Sequence, residues 1–336
     1  MKEKTEDIAM NMEHIILNQE RNVTLTAYTL PVGGRFDYIP KRPAMLVIPG
    51  GGYQYCSVRE ADPVAFAYLK AGFQTFVLNY SVDAHRTWPN PLEDVEQALE
   101  LIRGREDWNV YPDKVAVVGF SAGGHLASAA ATMAKVRPNA AILGYAVTGT
   151  DVKGCNPTAP DTTKEVDRYT CPCFVFATCS DDVVPVQNSV DFCRALADQK
   201  ISFESHIYAY GPHGFSTGDS SVRNPQAPTC SRVPNWVEDS IGFLRDVLGD
   251  FTQDKMSEPV CPRYTCADND PTLSVDCTVG LILKTEGTAA ILGPLAGRLQ
   301  SDLVKKMTLR GILGFAKFPA EEIDRLDREL RKIENR

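Results

Sequence analysis

The 336-residue sequence predicts an α/β protein in which a mostly parallel central sheet carries helices on both faces, followed by a small all-helical segment. Along residues 1–250, short β-branched runs alternate with helical stretches that are apolar on one face, and this alternation is typical of a parallel sheet. From residue 272 onward the patterns are helical only. We therefore expect an α/β domain at residues 1–250, a linker at 251–271 and a helical appendage at 272–336.

The elements of the α/β domain follow from local patterns. Residues 14–30 alternate in polarity around an Asn-Gln-Glu-Arg-Asn break, which predicts an N-terminal hairpin. Continuous apolar runs predict buried strands, because both faces of a parallel sheet are covered. Helices are predicted where apolar residues recur at steps of three and four. In chain order, the predicted elements are strand 44–49, helix 59–71, strand 73–80, helix 92–102, strand 115–118, the helix after residue 121, strands 140–147 and 173–178, the helix near 186, strand 203–210 and helix 234–248.

The region after residue 250 differs in character. Residues 251–271 are polar with Cys and Pro, as expected of a linker. Residues 281–307 predict one or two apolar-faced helices broken at Gly293-Pro294, and further helices are predicted at 309–315 and 319–333. The apolar faces predict that this appendage docks on the α/β domain or on a second copy of the chain.

The candidate nucleophile is Ser121, in the sequence Gly119-Phe-Ser-Ala-Gly123 between a predicted strand and a predicted helix. Gly-x-Ser-x-Gly in this context is a nucleophile elbow, a tight turn that exposes one hydroxyl above the end of a parallel sheet. The turn leaves no room for a Cβ at either glycine, and free N–H groups at the helix start favour developing negative charge. The alternative is a chance match to a short pattern.

Two further residues complete a hydrolytic triad. An acid just past a strand end is where α/β-hydrolases place the carboxylate that orients histidine, and Asp181 has the D-x-x-V-P spacing that Asp182 lacks. The alternative is that both acids cap the helix near residue 186. Because the chain order of that fold is serine, acid, histidine, His213 in a Gly-Pro-His-Gly loop is the candidate base. The other four histidines are His14, His85, His125 and His206, which precede the nucleophile or lie on its helix or inside a strand.

A run of glycines, Gly50-Gly51-Gly52, follows the first buried strand. It resembles the glycine-rich loop that completes the oxyanion hole of esterases. The resemblance implies that the N–H of Gly51 or Gly52 acts together with that of Ala122, although Pro49 stands where many esterases have histidine. Tyr53, next to the glycines, is the candidate substrate contact. A plain glycine turn without chemistry is the alternative.

Six segments together resemble the acetyl xylan esterase and feruloyl esterase-like branch of the α/β-hydrolase superfamily, over about residues 14–248. They are PGGGY (49–53), READPVAFAYLKAGF (59–73), LNYSV (78–82), GFSAGGHLA (119–127), SDDVVPVQNSV (180–190) and GPHG (211–214). The resemblance implies a serine carboxylic-ester hydrolase that deacetylates xylan or xylo-oligosaccharides, with feruloyl esters as a second acyl class. Ala177 stands where such enzymes often have histidine.

Three other functions remain open from the sequence. A short-chain lipid esterase or general carboxylesterase would differ only in the shape of its pocket. A prolyl-oligopeptidase-like peptidase shares the elbow and the triad order, but no propeller-sized block precedes residue 40. A non-catalytic binding module on the same fold is the third alternative.

Composition narrows the partners. A net charge of −8 argues against nucleic acid and against an anionic membrane surface. The charged N-terminal stretch does not read as a signal peptide, so we expect a cytoplasmic location. No cofactor motif occurs, and the ten cysteines lack the two CxxC pairs of a zinc ribbon, so we expect neither a cofactor nor a metal.

Overall fold

The computed structural model describes residues 10–34, 36–249, 259 and 267–335. Contacts divide the chain into two units, residues 1–263 and 264–336. Most of the predicted linker, together with Cys261 and Cys266, lies outside the described residues. The predicted domain boundaries therefore stay predictions.

The first unit is built on one eight-stranded sheet with the strand order β1-β2-β4-β3-β5-β6-β7-β8. The N-terminal hairpin is confirmed, since β1 pairs antiparallel with β2, and β2 pairs antiparallel with β4. All remaining neighbours are parallel, which confirms the predicted fold class. The strands are β1 (Asn11–Asn18), β2 (Val23–Thr29), β3 (Arg42–Ile48), β4 (Gln74–Asn79), β5 (Val110–Phe120), β6 (Ala140–Gly144), β7 (Cys173–Thr178) and β8 (Phe203–Tyr208).

Helices cover both faces of this sheet. They are α1 (Asp62–Lys70), α2 (Asn90–Gly104), α3 (Ser121–Thr132), α4 (Gln187–Asp198) and α5 (Asn235–Leu248). Strand β3 shows why two separate cores form. Leu46 and Ile48 belong to the core that holds residues of α2, α3 and α4, whereas Met45 and Val47 belong to the core that holds residues of α1 and α5. Successive side chains of a strand point to opposite faces, so an uninterrupted apolar run fills both cores.

The second unit is helical and has a core of its own. Its helices are α6 (Val279–Lys284), α7 (Thr288–Leu292), α8 (Leu295–Arg298), α9 (Asp302–Lys305), α10 (Leu309–Phe315) and α11 (Ala320–Leu330). Residues 267–335 contain isolated bridges but no strand. The predicted break at Gly293-Pro294 is confirmed, since α7 ends at Leu292 and α8 begins at Leu295, but the predicted number of helices at 281–307 is wrong, because four short helices lie there. The side chains of Thr278 and Ser301 accept hydrogen bonds from backbone N–H groups and so start new helices.

No helix within the described ranges is long and apolar enough to cross a membrane. The eight described cysteines are all free thiols.

Candidate active site

Ser121 lies at the sharp turn between β5 and α3. Its backbone φ is +54°, in the left-handed region that costs a non-glycine residue about 1–3 kcal/mol and that clusters at functional sites. A Cβ at Gly119 would overlap the Gly123 carbonyl oxygen, and a Cβ at Gly123 would overlap the Ile48 carbonyl oxygen. The two flanking glycines therefore allow α3 to fold back against β5 and β3, which lifts the Ser121 hydroxyl above the sheet.

The three candidate triad residues are brought together. His213 Nε2 lies 2.9 Å from Ser121 Oγ, and His213 Nδ1 lies 2.8 Å from Asp181 Oδ2. A carboxylate can only accept, so Nδ1 carries the proton and Nε2 is left to accept from the serine hydroxyl. This is the arrangement that a general base needs in order to take the proton of a nucleophile.

Backbone groups hold the Asp181 carboxylate in place. Its Oδ1 accepts hydrogen bonds from the N–H groups of Val183 and Val184, both at 2.9 Å. The side chain is fully buried, and Oδ2 is left to face the imidazole. The neighbouring Asp182 is exposed to solvent. The Val-Pro turn that singled out Asp181 in the sequence thus provides the donors that orient it.

The loop that carries His213 is fastened to the end of β7. The Gly211 carbonyl oxygen accepts from the hydroxyls of Thr178, at 2.8 Å, and Ser180, at 3.1 Å. The Gly211 N–H donates to Ser180 Oγ at 3.0 Å. These bonds fix the start of the loop on the strand that precedes Asp181, so the acid and the base share one support.

The glycine loop after β3 lies against the nucleophile. A Cβ at Gly50 would come within 3.1 Å of Ser121 Cβ. The Gly50 N–H donates to Glu60 Oε2 at 2.9 Å, which removes it as an oxyanion donor. The N–H groups of Gly51 and Gly52 donate no hydrogen bond to any residue that the structure describes. Both have positive φ, +129° and +60°, and Ala122 lies in the first turn of α3, where backbone N–H groups lack helical partners.

Glu60 is a buried acid that sequence reasoning missed. Its side chain receives the Gly50 N–H at Oε2 and the Tyr145 hydroxyl at Oε1, the latter at 2.6 Å. The Tyr145 ring stands edge-on to the His213 ring, with centroids 5.0 Å apart. Burial raises the pKa of Glu60, while the bonds from Tyr145 and Gly50 oppose that shift. One carboxyl group therefore connects the glycine loop to the histidine loop.

Tyr53 does not take the place expected of a substrate contact. Its side chain is 0% exposed, and its hydroxyl lies 2.6 Å from His125 Nδ1. His125 Nε2 lies 2.8 Å from the Pro160 carbonyl oxygen, so Nε2 carries the proton and Nδ1 accepts from Tyr53. The positive φ of Tyr53, +58°, turns its ring into the core. The structure thus gives Tyr53 a supporting position under the glycine loop.

Two cavities accompany the site. One encloses about 90 Å³ and includes His213, Gly214 and Phe215 in its lining. The other is a groove of about 410 Å³, and its lining includes Gln54 and Tyr55, which directly follow the glycine loop in the sequence. The volume of the groove is within the range of about 300–1,000 Å³ found for small-molecule sites.

Comparison with known proteins finds one matching family model and several similar proteins. The BD-FAE family model matches residues 38–152. The chain is 33% identical over 251 residues to endo-1,4-β-xylanase B of Butyrivibrio fibrisolvens, covering 64% of this chain and 39% of that protein. It is 31% identical over 208 residues to the acetylxylan esterase of Xylanibacter ruminicola, covering 54% of this chain and 43% of that protein. The chain thus spans about two fifths of the length of these curated relatives.

One solved structure is similar to this chain over almost its own entire length. MGS-M1, an α/β-hydrolase enzyme from a Medee basin deep-sea metagenome library, is 42% identical with a TM-score of 0.67. The match covers 71% of this chain and 98% of that one. The chain belongs to the α/β-hydrolase superfamily. Within that superfamily, the BD-FAE model and the acetylxylan esterase are similar to this chain, in agreement with the resemblance of the sequence.

Proposed function

We propose that this chain is a serine carboxylic-ester hydrolase that removes acetyl groups from xylan or xylo-oligosaccharides. The observation that carries the proposal is the continuous hydrogen-bonded series Ser121–His213–Asp181, at the carboxyl edge of an esterase-branch sheet. Feruloyl esters are the second acyl class, as the sequence resemblance implies.

In the first half-reaction, Ser121 Oγ attacks the ester carbonyl carbon while His213 Nε2 takes the hydroxyl proton. The carbonyl oxygen becomes an oxyanion, which the N–H groups of Gly51 or Gly52 and Ala122 stabilise. His213 then gives its proton to the departing alkoxide, and an acetyl-serine remains. Asp181 holds the imidazole in the required tautomer and stabilises the imidazolium that forms.

In the second half-reaction, a water molecule replaces the alcohol. His213 takes a proton from the water as its oxygen attacks the acetyl-serine, and the same N–H groups receive the second oxyanion. Collapse of this intermediate breaks the bond to Ser121 Oγ, which recovers its proton from His213. Acetate leaves and the site returns to its starting state.

The size of the site and the relatives support an acetylated sugar as substrate. We assign the acyl group to the cavity of about 90 Å³ beside His213, because His213 lies 2.9 Å from Ser121 Oγ and the volume suits a small acyl group. The two curated relatives carry the names endo-1,4-β-xylanase B and acetylxylan esterase. A small acyl group on a xylan chain fits both observations.

The test compares wild type with Ser121→Ala on two substrates. We expect p-nitrophenyl acetate hydrolysis to fall by at least about 1,000-fold in the variant, because removal of one triad member removes most catalysis. Mass spectrometry of acetylated xylo-oligosaccharides should show stepwise loss of acetyl groups with wild type only. Unchanged hydrolysis in the variant would overturn the nucleophile. Faster turnover of tributyrin than of the acetylated sugars would favour a lipid esterase.

A further inference from the structure

The groove beyond the glycine loop is not used by the chemistry above. It encloses about 410 Å³ and lies where Gln54 and Tyr55 leave the loop, next to Asn79 and Tyr80 at the end of β4. Asn22 and Asp83 complete its polar rim. An acetyl group is far smaller than this space, so the groove has room for another part of a substrate.

Two observations place the groove within reach of the nucleophile. Strand β3 lies between β4 and β5, and all three run parallel. Since neighbouring strands are about 4.8 Å apart, the carboxyl end of β4 lies about 10 Å from the end of β5 that carries Ser121. The glycine loop also connects the groove to the nucleophile. A Cβ at Gly51 would overlap the carbonyl oxygen of Tyr55, which lines the groove, and the neighbouring Gly50 lies against Ser121. A ligand bonded at Ser121 therefore reaches the groove within one or two sugar rings.

The chemistry of the lining favours a neutral, hydroxyl-rich ligand. The side-chain amides of Asn22 and Gln54 each offer donors and an acceptor, as sugar hydroxyls require. Asn79 Nδ2 donates to Thr24 Oγ1 at 3.1 Å, which leaves its Oδ1 as an acceptor. The positive charge of Arg21 is already engaged, since its guanidinium lies 2.6 Å from Asp94 Oδ1 and 3.5 Å from Glu93 Oε2. Apart from His85, the lining therefore offers little to an anion, and the carboxylate of Asp83 on the rim repels one. The polar rim disfavours a lipid chain.

Tyr55 adds an aromatic surface to this rim. Its side chain is 63% exposed, whereas the neighbouring Tyr53 and Tyr80 are buried. An exposed ring beside amide groups presents an apolar face together with hydrogen-bonding partners, and the C–H face of a pyranose requires both.

We propose that this groove is a glycosyl subsite, which binds the sugar units next to the acetylated one and stacks one of them on Tyr55. The inference rests on the proposed function, because it assigns the alcohol part of that substrate to a named surface. It also makes a separate claim, that the groove binds deacetylated xylo-oligosaccharide.

The kinetic test measures kcat/KM for acetylated xylotetraose relative to kcat/KM for p-nitrophenyl acetate. Tyr55→Ala should lower this ratio by about tenfold, the upper range for loss of one aromatic contact, through KM rather than kcat. Tyr169→Ala is the matched control, because Tyr169 is 64% exposed and precedes β7, at the opposite edge of the sheet. Its ratio should equal that of wild type. Gln54→Ala should lower the ratio by a smaller factor.

A binding measurement separates this inference from the proposed function. In the Ser121→Ala background, calorimetry with deacetylated xylotetraose should show binding that Tyr55→Ala weakens and Tyr169→Ala leaves unchanged. A wild-type enzyme without esterase activity, together with Tyr55-dependent binding in the Ser121→Ala background, would refute the proposed function and keep the subsite. An unchanged ratio and unchanged binding in Tyr55→Ala would overturn the subsite, and so would wild type that binds no xylotetraose.

Discussion

Replacing Glu60 tests whether the two catalytic loops depend on one buried carboxyl group. The side chain is 4% exposed and accepts from the Gly50 N–H at 2.9 Å and from the Tyr145 hydroxyl at 2.6 Å. Glu60→Ala leaves both donors without this acceptor. A buried donor without an acceptor costs about 1–3 kcal/mol. Removal of the carboxyl group also removes the free-energy cost of burying it, which offsets part of that loss. We expect the free energy of unfolding to fall by about 2 kcal/mol.

The activity of the same variant should fall for a positional reason. Gly51 and Gly52 follow directly after Gly50, so release of Gly50 shifts the proposed oxyanion donors. Complete loss of one donor costs about 100- to 1,000-fold in kcat, and a displaced donor should cost about 10- to 100-fold. KM should stay within about twofold, because the lost interaction belongs to the transition state. The assay is steady-state hydrolysis of p-nitrophenyl acetate, with thermal unfolding in parallel.

Glu60→Gln and Glu100→Gln are the comparison variants. The glutamine carbonyl at position 60 can still accept from Gly50, so it should recover most of the lost kcat. Glu100 is exposed on α2, and its loss of charge should change neither quantity. A Glu60→Ala enzyme with wild-type kcat would refute the positional role. So would a Glu60→Gln enzyme that folds normally and is as slow as Glu60→Ala.

Further predictions concern the elbow and a buried histidine. Gly123→Ala should lower the free energy of unfolding by about 1–3 kcal/mol, because its Cβ would overlap two backbone carbonyl oxygens. Activity on p-nitrophenyl acetate should fall by about 100-fold, as expected for a displacement of about 1 Å at Ser121. Gly242→Ala is the control, because a Cβ at this position on α5 meets open space. It should stabilise the fold by about 0.5–1 kcal/mol and leave the activity unchanged. Equal effects of the two variants would contradict the elbow geometry. Burial lowers the pKa of His125 to about 4. Its contribution to stability is complete above about pH 6.5 and is lost as pH falls toward 4, because only the unfolded chain takes up the proton in that interval. Urea unfolding of wild type should show that the free energy of unfolding falls by up to about 3 kcal/mol between about pH 6.5 and pH 4. In His125→Gln the free energy of unfolding should depend less steeply on pH. Equal pH dependence in the two proteins would contradict the lowered pKa of His125.

The sequence was sufficient for the order of the elements and for the residues that the site brings together. Ser121, Asp181 and His213 each follow a strand end with a distinctive local pattern, and parallel strands bring their carboxyl ends to one edge. For these three residues, the local sequence pattern and the topology of the sheet therefore predict the same position. The chemical roles of these residues remain proposals that the kinetic variants test.

Glu60 and Tyr145 could not be identified in the same way. Glu60 lies in a short turn before α1, and Tyr145 follows the end of β6, so no spacing connects them. Their significance depends on burial and on the approach of two loops, which apolar periodicity does not encode. The sequence signal that marks Glu60 is its place inside the READP segment, which carried the family resemblance.

Tyr53 and the C-terminal helices show two other limits. A tyrosine after three glycines suggests a substrate contact, but the residue has a φ of +58° and its ring is buried, and a tyrosine gives no sign of that angle in the sequence. In residues 281–307 the apolar face suggested long helices. Gly287 and Gly293 on either side of α7 and the capping residue Ser301 before α9 divide the region into short helices, and these signals were readable in the sequence.

The central claim is that Ser121 is a nucleophile activated by His213. Reaction with a fluorophosphonate probe, followed by peptide mass spectrometry, tests it most directly because the probe marks an activated serine. We expect one adduct on the peptide that contains Ser121, with labelling abolished in Ser121→Ala and strongly slowed in His213→Ala. Labelling of another serine, or equal labelling rates in wild type and His213→Ala, would contradict the account.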